Sequence, residues 1–460
     1  MHRYFLLLCL LAAALLTWQT SCTEPKRLPM ESASKDTGGS CAACHTSYAT
    51  LRAVACPDTD PPVEGCGGAA PHIEPFDRVF LGGPGYEVFR NSEHGRLSCT
   101  SCHGGKDGTG DKELAHSGDF TKQPSSKAQA VCGDCHEDIV RNTADSLHEQ
   151  GWGQKNSVAV RMGRVSFDAV PKSLHAGYEQ HCATCHAGCG DCHVNRPKAA
   201  GGGLYKGHQF SRTPDMRDTC VACHSSRGGH AYFGLGVGAK PDVHLTQAGF
   251  TCLDCHTRKQ IHGDGKVYKN RYRSPLRPQC DNCHFDTAES NIYHETHIET
   301  FDCHVCHSQD YNNCGSCHVG GAGARIPSHL SFKIGLNPIP EDKPFKYALL
   351  RRTLAAPDTW SVYGIDPMPA FDAKTTYNYT TPHNILRWTT RTQVDPGRSC
   401  YDSCHIAPGR METPTRNREL YLFASDLKED WEKSANRHIT VDGKLPKSWE
   451  KRRNPMEPAE

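Results

Sequence analysis

The chain has 460 residues, of which 37% are hydrophobic in a count that includes 26 cysteines, alongside 42 Gly and 29 Pro. So little Leu, Ile and Val cannot fill ordinary apolar cores over that length, and long disordered chains do not carry regularly placed Cys and His, so something other than side chains is expected to fill the interior. With 52 basic against 51 acidic residues and no basic stripe, the charge speaks against nucleic-acid binding.

Residues 1–21 read as a secretory signal peptide, with a short basic start, an apolar run from Tyr4 to Leu16 and small residues before Cys22. The run is too short for a comfortable membrane span, and no later stretch approaches one. Thr20-Ser21-Cys22 has the small residues that precede the modified cysteine of a bacterial lipoprotein, although Gln19 stands where Leu is usual. Cys22 is therefore the candidate lipidation site and polar residues 22–40 the tether; cleavage by the ordinary signal peptidase is the alternative. Thr23 in place of Asp favours the outer membrane over the inner one. An exported chain in the periplasm or at the cell surface, anchored to the outer membrane by its lipid, is expected.

Ten C-x-x-C-H motifs occupy residues 41–318. Their cysteine pairs are Cys41/Cys44, Cys99/Cys102, Cys132/Cys135, Cys182/Cys185, Cys189/Cys192, Cys220/Cys223, Cys252/Cys255, Cys280/Cys283, Cys303/Cys306 and Cys314/Cys317. Their histidines are His45, His103, His136, His186, His193, His224, His256, His284, His307 and His318. In a helical turn, positions i, i+3 and i+4 share a face, so two thiols can bond to one haem edge while the histidine reaches the iron as proximal ligand. Zinc would need two cysteine pairs per metal and has no use for a His in the same place each time, and redox disulfides do not come in tens. Covalent haem c is the expected cofactor. Cys56 and Cys66, separated by PDTDPPVEG, read as an exported-protein disulfide.

In HCATCHAGCGDCHV two motifs are separated by Ala187 and Gly188 alone. A straight helix would set all four cysteines on nearly one face and make two haems collide, so the helix is expected to break at Gly188 and Gly190. His186 and His193 would then lie at most about 10 Å apart along a helix, a close contact between haems. Gly-rich AAGGGLYKGH and YFGLGVGAK are read as sites of close backbone approach to flat rings.

Residues 319–460 read as a loop-rich C-terminal region with an amphipathic helix near 416–437, its Leu420, Phe423, Leu427 and Trp431 on one face. This region also carries C-Y-D-S-C-H, an eleventh motif with one extra residue. That insertion turns the second Cys and the His by about 100° on an ideal helix. A haem on Cys400, Cys404 and His405 is expected if a bulge absorbs the turn; a Cys400–Cys404 disulfide is the alternative. About eleven haems would bring paired propionates and make the near-neutral chain acidic, suited to a basic partner patch.

Beyond the motif histidines and His2, sixteen remain, a surplus that bis-histidine coordination requires. The distal candidates are His72, His94, His116, His148, His175, His208, His230, His244, His262, His294, His297, His329 and His383. His181 and His304 are poorer, since each abuts or sits inside a motif, and His438 completes the set.

On these motifs the chain resembles the multihaem c-type cytochromes of bacteria that respire metals, sulfur or nitrogen compounds. CATCHAGCGDCHVNRP resembles segments related to octahaem tetrathionate reductases, while the ten-motif array behind a lipoprotein-like signal resembles outer-membrane decahaem conduits. The resemblance implies a mainly α fold with extensive irregular loops, a multihaem cytochrome c fold with the haems as core. It implies electron transfer between redox proteins: a periplasmic or quinol-linked donor, and a porin–cytochrome complex or terminal reductase as acceptor. The alternative is a multihaem reductase of a sulfur, nitrogen or metalloid oxyanion, which would need one iron with an open or Lys-ligated distal position; no motif departs from a His ending to mark it.

Overall fold

The computed structural model describes residues 40–56, 64–65, 68–69, 72–183, 186–197, 200–236, 239–287, 289–311, 320–325, 332–396, 403–406 and 416–446. No helix among them is long and apolar enough to cross a membrane. Cys22, Cys66, Cys185, Cys314, Cys317, His318, His329 and Cys400 lie outside the described residues.

Five motifs fold as single helical turns: Cys41–His45, Cys99–His103, Cys189–His193, Cys252–Cys255 and Cys303–His307. Helices this short do not stand alone in water. Polar caps help set their first turns: Ser40 Oγ accepts the Ala43 N–H, Ser98 Oγ accepts that of Ser101, and Asp254 accepts both the N–H and the hydroxyl of Thr251 at 2.6 and 2.8 Å. The motif at Cys132 instead opens helix α1 (Gly133–Ala144), which is kinked at His136 with φ −122° and ψ 36°. The motif at Cys280 is a 3-10 turn over Cys280–Asn282.

Two longer helices follow α1: α2 (Trp152–Arg161) and α3 (Lys172–His181). Helix α3 ends at His181 with Cys182 as its C-cap, and a separate helical turn starts at Cys189 with Gly188 as its extended N-cap. The break expected inside HCATCHAGCGDCHV is present at Gly188, and Gly190 lies within the second turn.

The chain divides into two compact units. The first contains His72–Lys127 and Gly202–Phe210 together with the N-terminal residues through Pro61. Here the glycines of AAGGGLYKGH serve approach between backbones. Leu204 N–H donates to Arg78 O at 2.8 Å, and a Cβ on Gly203 (φ +82°) would lie 2.6 Å from Arg78 Cα.

The second unit holds the remainder, including the short strands β1 (Glu64–Gly65) and β2 (Gly68–Ala69), which pair antiparallel. Its regular core is a three-stranded antiparallel sheet in the order β3 (Lys333–Leu336), β4 (Tyr347–Arg352), β5 (Tyr377–Tyr379). Strand β4 is buried on both faces. Tyr347 and Leu349 join Ile334, Tyr421, Phe301 and Val305 on one side, while Ala348 and Leu350 join Leu422, Leu427 and Ile439 on the other. A separate cluster packs α2 and α3 against Trp360, Met368 and Phe371.

The amphipathic helix expected near 416–437 is not one helix. A turn at Arg416–Glu419 leads into extended residues, then a 3-10 turn at Ala424–Asp426, then α4 (Asp430–Asn436). The reason is Leu420-Tyr421-Leu422-Phe423, four apolar residues in a row. Tyr421 and Leu422 are both fully buried, which a helix with one apolar face cannot achieve. As an extended segment they flank β3, with Ile334 N–H donating to Leu420 O at 2.7 Å and Leu422 N–H to Ile334 O at 2.9 Å.

Candidate haem centres

The motif turns project their histidines toward a second histidine from elsewhere in the chain. Eight such pairs are described: His45–His116, His103–His208, His193–His262, His224–His148, His256–His383, His284–His244, His307–His294 and His405–His297. Their ring centres are 6.0–6.2 Å apart. Each pair joins one motif histidine to one non-motif histidine. Two metal–imidazole bonds of about 2 Å each, plus about 1 Å from each ring nitrogen to its ring centre, put the rings of a six-coordinate iron roughly 6 Å apart.

The outer ring nitrogens support that fit. A metal-ligating imidazole donates its other N–H to an acceptor that fixes the tautomer. Here Nδ1 of His45, His116, His103, His193, His262, His297 and His307 donates to the backbone carbonyls of Val79, Lys112, Thr121, Ser211, Arg258, Tyr293 and Leu386, at 2.6–3.1 Å. His256 uses the Gln260 amide oxygen at 3.0 Å, His294 contacts the Ser290 hydroxyl at 2.7 Å, and His244 uses the Asp242 carboxylate at 2.8 Å. Burial, reinforced by neighbouring imidazoles, pushes His208, His224 and His383 down to about 4, so they are neutral donors at neutral pH. His208 also holds a left-handed backbone (φ 73°), strain placed at the residue that meets His103.

Zinc chemistry fits less well: among the described residues no three Cys, His, Asp or Glu side chains converge on a common point. Among the described residues thiols are lowered only where two motifs meet, Cys220 by the hydrogen bond from Cys252 and Cys280 by that from Cys303. Burial, with the Asp107 carboxylate next, raises Cys41 to about 12, and burial raises Cys192 to about 12. Burial also raises the Cys44 and Cys102 thiols.

Besides the 3-10 turn at Cys280, two motifs depart from a regular helical turn. Cys135 is exposed and lies inside α1, but Cys132 before it is only the N-cap and His136 after it is kinked out of helical geometry. Cys223 is half-buried and ends the turn Val221–Cys223. Cys220 before it closes a wider turn over Met216–Cys220, and His224 after it leaves the helix at φ −86° and ψ 47°. In neither motif do the Cys, Cys and His positions follow one 3.6-residue spiral. The reason is that both motifs run on into further helical residues, α1 to Ala144 and a turn over Ser225–His230, so the histidine is turned out at a junction and not at a free end. The closing bond of the turn survives: the His136 and His224 N–H groups each donate to the carbonyl of the first cysteine at 2.9 Å.

Neighbouring motifs also touch through their thiols. Cys41 and Cys99 are hydrogen-bonded in the first unit. In the second unit Cys220 bonds Cys252, and Cys280 bonds Cys303. Cys192 lies within electrostatic range of Cys220, Cys255 of Cys283, and Tyr421 of both Cys306 and Cys404. The motifs at 189, 220, 252, 280, 303 and 400 thus form an unbroken spatial succession.

Other expected ligands sit differently. His72 is exposed and bonds Glu74 at 3.1 Å, His94 stacks on Phe210 at 4.1 Å between ring centres, and His175 meets the Phe167 ring edge at 4.5 Å. His230 ends the helical turn Ser225–His230, and no motif histidine is paired with it among the described residues. His181 bonds Tyr363 Oη at 2.8 Å and His304 bonds both Asp302 oxygens at 3.2 Å. His186 differs from the eight paired motif histidines: its Nε2 meets the buried Tyr178 hydroxyl at 3.1 Å and Gln154 at 3.5 Å, so an iron on it would require those two side chains to move aside. Cys56 is an exposed free thiol.

The outer acceptors went unnoticed in the sequence. One had a local signature: Asp242 caps a helix two residues before His244, whereas Gln260 reaches His256 from the next helical turn, Arg258–His262. The carbonyl acceptors carry none, because any residue supplies one.

No protein-family model matches the chain, and no curated protein matches it. Among solved structures it is similar to an octaheme cytochrome c from Shewanella oneidensis, at 24% identity and a TM-score of 0.28, over 41% of this chain and 51% of that one. The match thus spans about half the length of that protein.

Proposed function

We propose that the chain is a multihaem c-type cytochrome that carries electrons along closely spaced bis-histidine centres between redox partners of the periplasm and outer membrane. The eight facing histidine pairs carry this reading. Bound between them, haem c supplies reversible one-electron Fe(III)/Fe(II) exchange. The chain's own part is to hold each pair of imidazoles at fixed separation, to lower the basicity of His208, His224 and His383 by burial, and to bring successive motifs into thiol contact. About eleven haems belong to the proposal, with Cys22 as a lipid anchor. The donor is a periplasmic or quinol-linked protein and the acceptor a porin–cytochrome complex or terminal reductase.

His186 favours a second reading. Its Nε2 faces a phenol and an amide instead of an imidazole. A centre at Cys182 without a histidine opposite would suit the reductase of a sulfur, nitrogen or metalloid oxyanion, with Tyr178 as a nearby proton donor.

Intact mass of the exported protein and electron paramagnetic resonance of its oxidised form test both. A mass increment of about eleven haems with uniformly low-spin ferric signals supports the carrier. A high-spin signal of one haem per chain, lost on altering the Cys182 motif, supports the reductase. A mass without haem overturns both.

A further inference from the structure

Among the paired imidazoles with a described Nδ1 partner, His244 is singular in the charge of that partner. Backbone carbonyls, the Gln260 amide and the Ser290 hydroxyl serve the others. His244 instead meets Oδ1 of Asp242 at 2.8 Å, and Asp242 is 2% exposed. The carboxylate cannot turn away. Oδ1 also accepts the His244 backbone N–H at 2.8 Å, capping the helix Val243–Ala248, and Oδ2 accepts the Ile385 N–H at 2.7 Å.

We propose that Asp242 is a positioning and tuning residue that makes the centre formed by His284 and His244 the last of the second unit's paired centres to be reduced. The inference rests on the haem reading above. A carboxylate hydrogen-bonded to the outer nitrogen draws that proton toward itself and increases electron donation from the inner nitrogen. A stronger donor favours the ferric over the ferrous iron, so the reduction equilibrium falls. Neutral carbonyl, amide and hydroxyl acceptors do this more weakly. Asp302, the other carboxylate bonded to an imidazole in this neighbourhood, grips His304, which does not face a motif histidine, so it has no ligand to act through. Asp302 and Arg277 both reach the Cys280 thiol with opposite charge, so their fields oppose each other there.

The consequence concerns which partner can load the path. The Cys280 motif stands between the motifs at Cys252 and Cys303 in the spatial succession. Electrons crossing it meet a step down in affinity at its middle, and filling that station takes a strongly reducing donor.

The test is a potentiometric titration of haem-loaded wild type and Asp242→Asn, followed by electron paramagnetic resonance and by nuclear magnetic resonance of the ferric haem methyls. The wild-type centre whose methyls contact the His244 ring is expected to be reduced last of the second unit's centres. In Asp242→Asn that step alone is expected to rise by about tenfold in its reduction equilibrium, about 59 mV for one electron. Asp430→Asn, which removes a surface carboxylate bonded to Lys433 on α4, is expected to leave it unmoved. A wild-type His244 centre reduced before its neighbours overturns the proposal even if Asp242→Asn fails to load haem. An unshifted step in a fully loaded Asp242→Asn also overturns it. Absence of haem from the Cys280–Cys283 peptide of wild type defeats the underlying haem reading instead.

Discussion

Residues 332–446 and the motif-bearing residues 128–201 and 211–311 belong to one compact unit, yet they build their interiors differently. In the first, side chains close against side chains: Ile334, Tyr347, Leu349, Leu350, Tyr421, Leu422 and Val441 have no exposed surface. In the second, large apolar residues near the histidine pairs stay uncovered, with Phe285 83% and Ile292 62% exposed beside His284 and His294. Sequence composition averages over both regions. The difference teaches that the low apolar content belongs to the histidine-pair region, where a flat apolar ring is the expected filling, and that a conventional core survives wherever motifs are sparse.

The largest effect should come from denying the first kind of filling. Produced without c-type haem attachment, the chain is expected to lose the short motif helices, which cannot persist alone. Far-UV circular dichroism and limited proteolysis read this as lost helix signal and cleavage throughout 128–311. A haem-free chain that still unfolds in one cooperative transition with native helix content would break the comparison.

A smaller effect is expected from the second kind. Leu349→Ala opens a cavity between β4 and Tyr421 and should cost about 2–5 kcal/mol. Chemical denaturation of the haem-loaded protein measures it, and the haem count by mass should stay unchanged. Loss of haem from Leu349→Ala would mean that the sheet is required to form the centres and is not merely packed beside them.

Much of the metal-binding side was legible because the chemistry demands fixed spacing. The C-x-x-C-H repeat located seven histidines that the fold sets opposite a partner, C-Y-D-S-C-H located an eighth, and the surplus of histidines contained those partners. Pairing was not legible, since His383 reaches His256 and His208 reaches His103 across more than a hundred residues, and no local pattern encodes such distance. Proximity in sequence misleads as well: His94 lies five residues before Cys99 yet stacks on Phe210, whereas His208 meets the motif's histidine. The C-terminal sheet was missed for a different reason. Strand β4 is buried on both faces, so its YALLRR lacks the alternation that marks a half-exposed strand, and Leu420–Phe423 met a helical pattern by coincidence of spacing.

Arginines extend the contrast to charge. In the C-terminal region each has a partner in the chain: Arg352 bonds Glu432 at 2.6 Å, Arg418 bonds Asp426 at 2.9 Å, and Arg391 bonds Asp310 at 2.7 Å. Among the histidine pairs, Arg271 and Arg277 both lie over the Tyr272 ring, at 4.8 and 5.2 Å, and the buried Nε of Arg277 has no partner among the described residues. Two like charges over one ring, one of them with an unsatisfied donor, are costly unless an anion joins them. Arg271 is in electrostatic range of His224 and His383, and Arg277 of His256, so a haem propionate at either centre is the expected anion. Arg277→Gln should then lower the stability of the haem-loaded protein by about 1–3 kcal/mol in chemical denaturation, the range for a hydrogen bond to a charged group. If Arg277 were simply an unpaired buried cation, the same substitution would raise stability, because it would remove a desolvated charge and leave nothing unpaired behind. The sign of that one number separates an arginine that waits on the prosthetic group from one that the polypeptide merely tolerates.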